Sequence, residues 1–282
     1  MSTYEISVIS AVGINVILAV SLNVISGFCG QISLGHAAFF GVGAYVAALV
    51  MAASPNVAFA ICAATAVAAA FGVVVGFASL RVRSDFLAVT TIGVNFLFTG
   101  FVRKQGWLGG EMGMSNIPPT GFGATGNMIL ILALAGGTIV LSLCIARSWM
   151  GFAFRAVGQD EGAAATIGIN ASAYKLAAFG IGTAFAGLAG ALYTFFTQFI
   201  TVDAFDFVTS VMLMVMVVIG GIGSTWGVVA AAIGLTLLPE VFRVASDYRL
   251  LIFGGLLILV IRVAPGGLAG LARDAVQRMR RA

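Results

Sequence analysis

Apolar residues in this chain run in long unbroken stretches, and polar residues gather in the gaps between them. The runs fall near 6–26, 32–52, 57–79, 86–102, 128–146, 174–198, 208–222, 226–240 and 250–264. Most approach the roughly 20 residues that a helix needs to cross a bilayer. Continuous runs predict helices, where barrel strands would alternate. Several runs are short or broken by glycine, so the pattern predicts about eight to ten spans, the larger number if 32–52 is two pieces. The prolines agree with this map. Pro55, Pro118 and Pro119 lie in gaps, and Pro239 and Pro265 lie at segment ends, where a missing N–H costs least. The predicted fold is all-α, a polytopic transmembrane helix bundle forming one domain over 1–282.

Composition strengthens this picture. The chain is 61% hydrophobic and 9% charged, with mean hydropathy +1.11. Soluble domains carry roughly 25% charged residues, and a soluble fold cannot hide this much apolar surface. In lipid the backbone must satisfy its own hydrogen bonds, which again means helices. The opening MSTYEISV lacks a basic leader region, so the first run is expected to stay as a span. Cys29, Cys62 and Cys144 lie in or beside apolar runs at no metal spacing and read as small packed thiols; no metal site is expected.

The net charge of +4 does not point to nucleic acid here, because in a membrane chain cations record orientation. If the gap Arg147–Lys175 is cytoplasmic and the spans alternate, Arg81, Arg83, Arg147, Arg155, Lys175, Arg262, Arg273, Arg278, Arg280 and Arg281 fall inside. Only Arg103, Lys104, Arg243 and Arg249 fall outside. Cations concentrate on the cytoplasmic side, so this is the favoured arrangement. Nine spans then put the N-terminus outside. The basic tail 270–282 falls inside, as a topology anchor or lipid-binding patch.

Two patterns bear on packing. In 174–198, Gly182, Ala186 and Gly190 recur every fourth residue, as do Gly187 and Ala191, which lets helices approach closely. Gly27 and Gly30 after the first run are echoed by Gly220 and Gly223 in GGIGSTWG, and broken helices in two halves are typical of transporter repeats.

The segment Arg147–Lys175 is a long polar break. Ser148 can cap a turn through WMGFAFRAV that Gly158 ends, and Asp160 can cap EGAAATI, ended by Gly168. Asn170 or Ser172 can start the next span. The second short helix offers Ala163, Ala164 and Ile167, with Asp160 and Glu161 at its positive end. Such a segment suits either a groove on a partner or the membrane interface. Elsewhere, ionisable groups avoid the span interiors: Glu5, Asp85, Glu240 and Arg262 sit near predicted ends. The exception is His36, the sole histidine, which with Gln31 and Ser33 lies in a glycine-punctuated stretch. These three, with Asn15, Asn23 and Asn95, are candidates for interhelical hydrogen bonds or for lining a translocation path; a proton relay through His36 is a third reading.

The run R-S-x-x-G-x-x-x-R-A-V-x-x-D-E-x-A-A-x-x-x-G-I-N resembles the cytoplasmic coupling loop of branched-chain amino acid ABC permeases, LivM-type subunits in particular. GQISLGHAAFFGVGAY at 30–45, GGEMGMSNIPP at 109–119 and GGIGSTWG at 220–227 match the same family in the same order. Gly162 stands where relatives usually carry a bulkier residue. The resemblance implies a non-enzymatic permease domain of an importer for branched-chain or similar amino acids in the bacterial inner membrane. It also implies a homologous LivH-type permease, two cytoplasmic LivG/LivF-type ATPases and a periplasmic binding protein as partners, in a setting of membrane lipid. Within the loop 147–173, Arg147, Gly151, Arg155, Asp160, Glu161, Ala163, Ala164 and Gly168 would form the ATPase-coupling surface, and Gly109, Gly110 and Gly113 would lie in the outer loop that faces the binding protein.

The chain contains no G-x-x-x-x-G-K-[ST] phosphate loop, so ATP and magnesium are expected on the partner ATPases and no cofactor on this chain. Close relatives of the resembled family import urea or short amides, which is the alternative substrate class. An ion-coupled amino acid carrier is a weaker rival, because such carriers usually need a buried carboxylate or an unwound ion site. A non-transporting scaffold is a third class. The glycines of 103–127 predict an outer loop that is mobile or tightly turned, with Trp107 at the headgroup level.

Overall fold

The structure is a computed structural model that describes residues 2–79, 84–115, 117–241 and parts of 254–271. Its long helices are α1 (Thr3–Leu22), α2 (His36–Ala53), α3 (Val57–Ser79), α4 (Ser84–Lys104) and α5 (Gly123–Arg147). Two short helices follow, α6 (Trp149–Gln159) and α7 (Glu161–Thr166), then α8 (Ala171–Thr197), α9 (Phe207–Gly220) and α10 (Thr225–Val241). Seven helical segments among the described residues are long and apolar enough to cross a membrane, and Thr225–Glu240 is a shorter apolar one. The described helices thus reproduce the first eight apolar runs. The ninth, 250–264, lies largely outside the described residues, as do Arg81, Arg83, Arg243, Arg249 and the tail beyond 271.

Helix directions follow from side-chain pairings. Asn15 donates to Thr236 at 3.0 Å, and Tyr4 hydrogen-bonds Glu240, so α1 and α10 are antiparallel. Gly76 lies beside Leu176 and Phe179, and Gly72 beside Thr183, so α3 and α8 are antiparallel too. Successive long helices alternate in this way, and the start of α1 lies at the end of the bundle opposite to α6 and α7.

α1, α2 and α8 form the centre. Within its most apolar window α1 is 72% buried, whereas α3 and α4 are each 22% and α5 28% buried, so these three turn most of their surface outward. The small residues of α8 explain its central place. Gly182, Ala186, Gly187, Gly190 and Ala191 are all buried. A Cβ on Gly187 would overlap Ala68 and lie 2.7 Å from the Ala64 carbonyl, and one on Gly190 would run into the backbone of α2 at Phe40. The stripe therefore sets how closely three helices meet.

Three expectations need correction. The second span begins at His36, not near 32, because residues 29–35 are not helical. Several of their backbone groups are met from within the protein: the Leu34 N–H donates to Thr91 Oγ1 at 3.0 Å, and Ser26 Oγ donates to the Gln31 carbonyl at 2.9 Å. Irregular backbone is tolerated beside lipid only when it is buried in this way. Of the three thiols, only Cys29 is packed. Cys62 and Cys144 are exposed, since they lie on the outward-turned α3 and α5. Gly158, finally, does not end its helix. It stays within α6, where a Cβ would come 3.0 Å from the backbone of Cys29, so its smallness serves a close approach.

Candidate functional site

α6 and α7 form a cap at one end of the bundle. Ser148 starts α6 by accepting from the Gly151 N–H. Asp160 starts α7, its Oδ1 accepting from Gly162 N at 2.8 Å and Ala163 N at 3.0 Å. Gly168, with φ +83°, turns the chain out of α7, a left-handed geometry that favours glycine. Asn170 then caps α8 through the Ala173 N–H.

The cap has its own small core. Phe154, Val157 and Ala164 pack with Val24, Phe28 and Cys29 and with Ala178 of α8. Ala164 therefore faces inward, while Ala163 and Ile167 face out, Ile167 at 72% exposure. Trp149 and Phe152 of α6 are exposed as well. Arg147 ends α5 and is exposed. Arg155 donates to the Ala146 carbonyl at 3.0 Å and lies over the Phe152 ring. Gly151 is buried against the carbonyls of Ile145 and Ala146, and Glu161 pairs with Lys175 of α8. Cys29 lies beneath, and burial pushes its thiol up to about 11.

The cap rests on a π-helical turn, Asn23–Phe28, that continues α1. Such turns are rare and often mark functional positions. Here the turn joins the two glycine segments that echo each other in sequence. Asn23 Oδ1 accepts from the Gly223 N–H at 3.0 Å, and a Cβ on Gly27 would lie 2.7 Å from that same nitrogen. The cap is thus linked by direct packing to the turn between α9 and α10.

The candidate path residues form a seam, with one outlier. Asn23, Ser33, His36 and Asn95 are wholly buried, and Gln31 is nearly so. His36 Nε2 hydrogen-bonds Ser21. Ser210 accepts from the Ala37 N–H at 3.0 Å and from Asn95 Nδ2 at 3.3 Å, tying α2, α4 and α9 together. Asn23 Nδ2, Ser33 Oγ, His36 Nδ1 and Asn95 Oδ1 are buried with no partner among the described residues. Gln31 turns toward Cys29. Asn15 stands apart and bonds α10, a helix-to-helix role.

One feature escaped the reading of single residues. On α4, Thr91, Asn95, Thr99 and Arg103 recur every fourth residue and form one polar stripe on an apolar helix. Thr91 meets the 29–35 segment, Asn95 meets Ser210, and Arg103 pairs with Asp203 at 2.8 Å. The i, i+4 spacing was the signal. At the end opposite the cap, the loop after α4 is tightly turned. Gly109, Gly110 and Gly113 all have positive φ, and Met114 exchanges two backbone hydrogen bonds with Ile200.

Residues 5–261 match the family described as "Branched-chain amino acid transport system / permease component". The chain belongs to this family. It is 32% identical over 304 aligned residues to the high-affinity branched-chain amino acid transport system permease protein LivM of Salmonella typhimurium, covering 96% of this chain and 69% of the relative. The LivM protein of Escherichia coli matches equally. The LivH permease protein of E. coli is 26% identical over 275 residues, covering 87% and 88%. No solved structure matches the chain. The permease is therefore a multi-pass membrane subunit of an ABC transport system and not itself an enzyme.

Proposed function

We propose that this permease is the membrane passage of an ATP-driven importer that moves branched-chain or similar amino acids across the bacterial inner membrane. The observation that carries this reading is the α6–α7 cap. It exposes Trp149, Phe152 and Ile167 at one end of the bundle yet is rooted in a core shared with the π-helical turn and α8. A rigid, apolar, outward face joined to the bundle interior suits a docked ATPase. The coupling residues are Arg147, Gly151, Arg155, Asp160, Glu161, Ala163, Ala164 and Gly168. Gly151, Ala164, Asp160 and Gly168 shape the cap, and Arg147, Arg155, Glu161 and Ala163 reach its surface. The cap lies on the cytoplasmic side, where the cations concentrate.

In this reading two ATPases of the LivG/LivF type bind ATP and magnesium. A LivH-type permease completes the passage, and a periplasmic binding protein delivers cargo near Gly109, Gly110 and Gly113. When the ATPases close, α6 and α7 move, and the π-helical turn carries the motion to α1 and to the α9–α10 turn as rigid-body rocking. The buried seam of neutral dipoles can pass a zwitterion without holding it. Urea or a short amide is the second cargo class, because the polar members of that seam are all uncharged amides, hydroxyls and one histidine.

Glu161→Lys tests the coupling role. Glu161 is exposed on the short α7, outside the spanning helices, so the variant should insert and fold. ATPase capture should weaken and uptake stop. Normal uptake by this variant would remove the coupling role, and solute accumulation by the lone chain on a cation gradient would replace the whole reading with an ion-coupled carrier.

A further inference from the structure

Between the outer half of α4 and the start of α9 lies a cavity of about 310 Å³. Ligand pockets begin near this size, so it has room for one small molecule. Its walls carry opposite charges, Arg103 from the α4 stripe and Asp206 from the N-cap of α9. Arg103 gives one nitrogen to Asp203 and keeps its remaining donors. Asp206 uses Oδ1 to accept from the Thr209 N–H at 2.8 Å and keeps its second oxygen. Asn95 also lines the cavity. It is wholly buried, donates from Nδ2 to Ser210 and the Phe205 carbonyl, and leaves Oδ1 without a partner among the described residues. A buried carbonyl oxygen in that state calls for a donor that none of the described residues supplies. The remaining wall is apolar, with Phe96 and Phe207 stacked at 6.3 Å beside Val202.

We infer that this cavity is an outer-mouth site for a zwitterionic α-amino acid with an apolar side chain. The carboxylate pairs with Arg103, the ammonium group is shared by Asp206 and Asn95 Oδ1, and the side chain lies against Phe96, Val202 and Phe207. Charge-assisted hydrogen bonds of this kind are the strong ones. A neutral amide or urea would leave both charges unanswered, so the site separates the two cargo classes that the buried seam does not. It stands at the end opposite the cap, and its inner wall, Asn95, leads through Ser210 to the backbone at Ala37. This inference rests on the reading of the chain as an amino acid importer.

The test uses the full complex in proteoliposomes, with companion permease, ATPases and binding protein, supplied with a leucine that carries a photoreactive diazirine in its side chain. Illumination during turnover should place the label on the peptides holding Phe96, Val202 and Phe207. Arg103→Gln and Asp206→Asn should each lower that label about tenfold, the loss expected for one charge-assisted hydrogen bond. Asparagine remains a good N-cap, so the second variant keeps the start of α9. Asp203→Asn, which removes only the exposed pair, should label as the parent does. If the parent complex takes up amino acid but the label falls elsewhere, or is unchanged in both charge variants, the site is refuted while the importer reading stands. If the parent complex takes up urea or amides and no amino acid, both fall.

Discussion

Gly187→Ala probes the packing on which the whole bundle is built. Gly187 sits mid-way along α8, between α2 and α3. A Cβ there would overlap the Ala68 methyl and stand 2.7 Å from the Ala64 carbonyl, roughly an ångström inside ordinary contact. Both obstacles belong to the α3 backbone or its first side-chain atom, so neither can rotate away. Overpacking of this kind costs about 1–3 kcal/mol. The alanine regains about 1 kcal/mol of helix propensity, which leaves a net loss of up to about 2 kcal/mol. Gly136 on α5 is the control, because a Cβ there meets nothing within 4 Å. Gly136→Ala should be neutral or stabilising by up to about 1 kcal/mol. Reversible unfolding of the purified permease in mixed micelles compares the two. Equal midpoints for Gly187→Ala and Gly136→Ala would refute the claim that the α8 stripe sets the helix spacing.

Three further outcomes are expected. Asp160→Ala removes the cap that holds two N–H groups of the six-residue α7, a local loss of about 1 kcal/mol, so cap proteolysis should rise while the bundle's unfolding midpoint stays put. His36→Gln should keep substantial uptake, since the amide can still bond Ser21; abolished uptake in a folded, assembled complex would instead assign His36 a proton relay. With Cys62 and Cys144 replaced by alanine, Cys29 should react with iodoacetamide about a hundredfold more slowly at pH 8 than an unperturbed thiol. Its thiolate appears only as pH approaches about 11, because burial disfavours the charged form. Ordinary reactivity at pH 8 would show that the cap core is open.

The rival transport classes differ in what a single chain can do. An ion-coupled carrier works alone on a gradient, whereas this permease should be silent until ATPases and binding protein are supplied. Purifying the complex and asking which solute stimulates ATP hydrolysis decides the cargo directly.

The apolar runs by themselves determined that the chain lives in lipid and where eight of its helices lie, because span length and backbone pairing leave lipid-soluble chains little choice. Local capping chemistry was equally legible: Ser148, Asp160 and Asn170 start α6, α7 and α8 as their residue types imply. Tertiary structure decided everything that depends on two distant segments meeting. Residues 29–35 leave the helical pattern because Thr91, far along the chain, takes up a backbone N–H. Gly158 lies inside its helix, and its missing Cβ leaves the space that the backbone of Cys29 takes. Ala163 and Ala164 are identical in type, and only packing against Val24 and Phe154 turns one inward and leaves the other out. The α4 stripe was written in the spacing of Thr91, Asn95, Thr99 and Arg103, but the α9 segment it faces, and therefore the cavity that Arg103 and Asp206 both line, exists only in three dimensions.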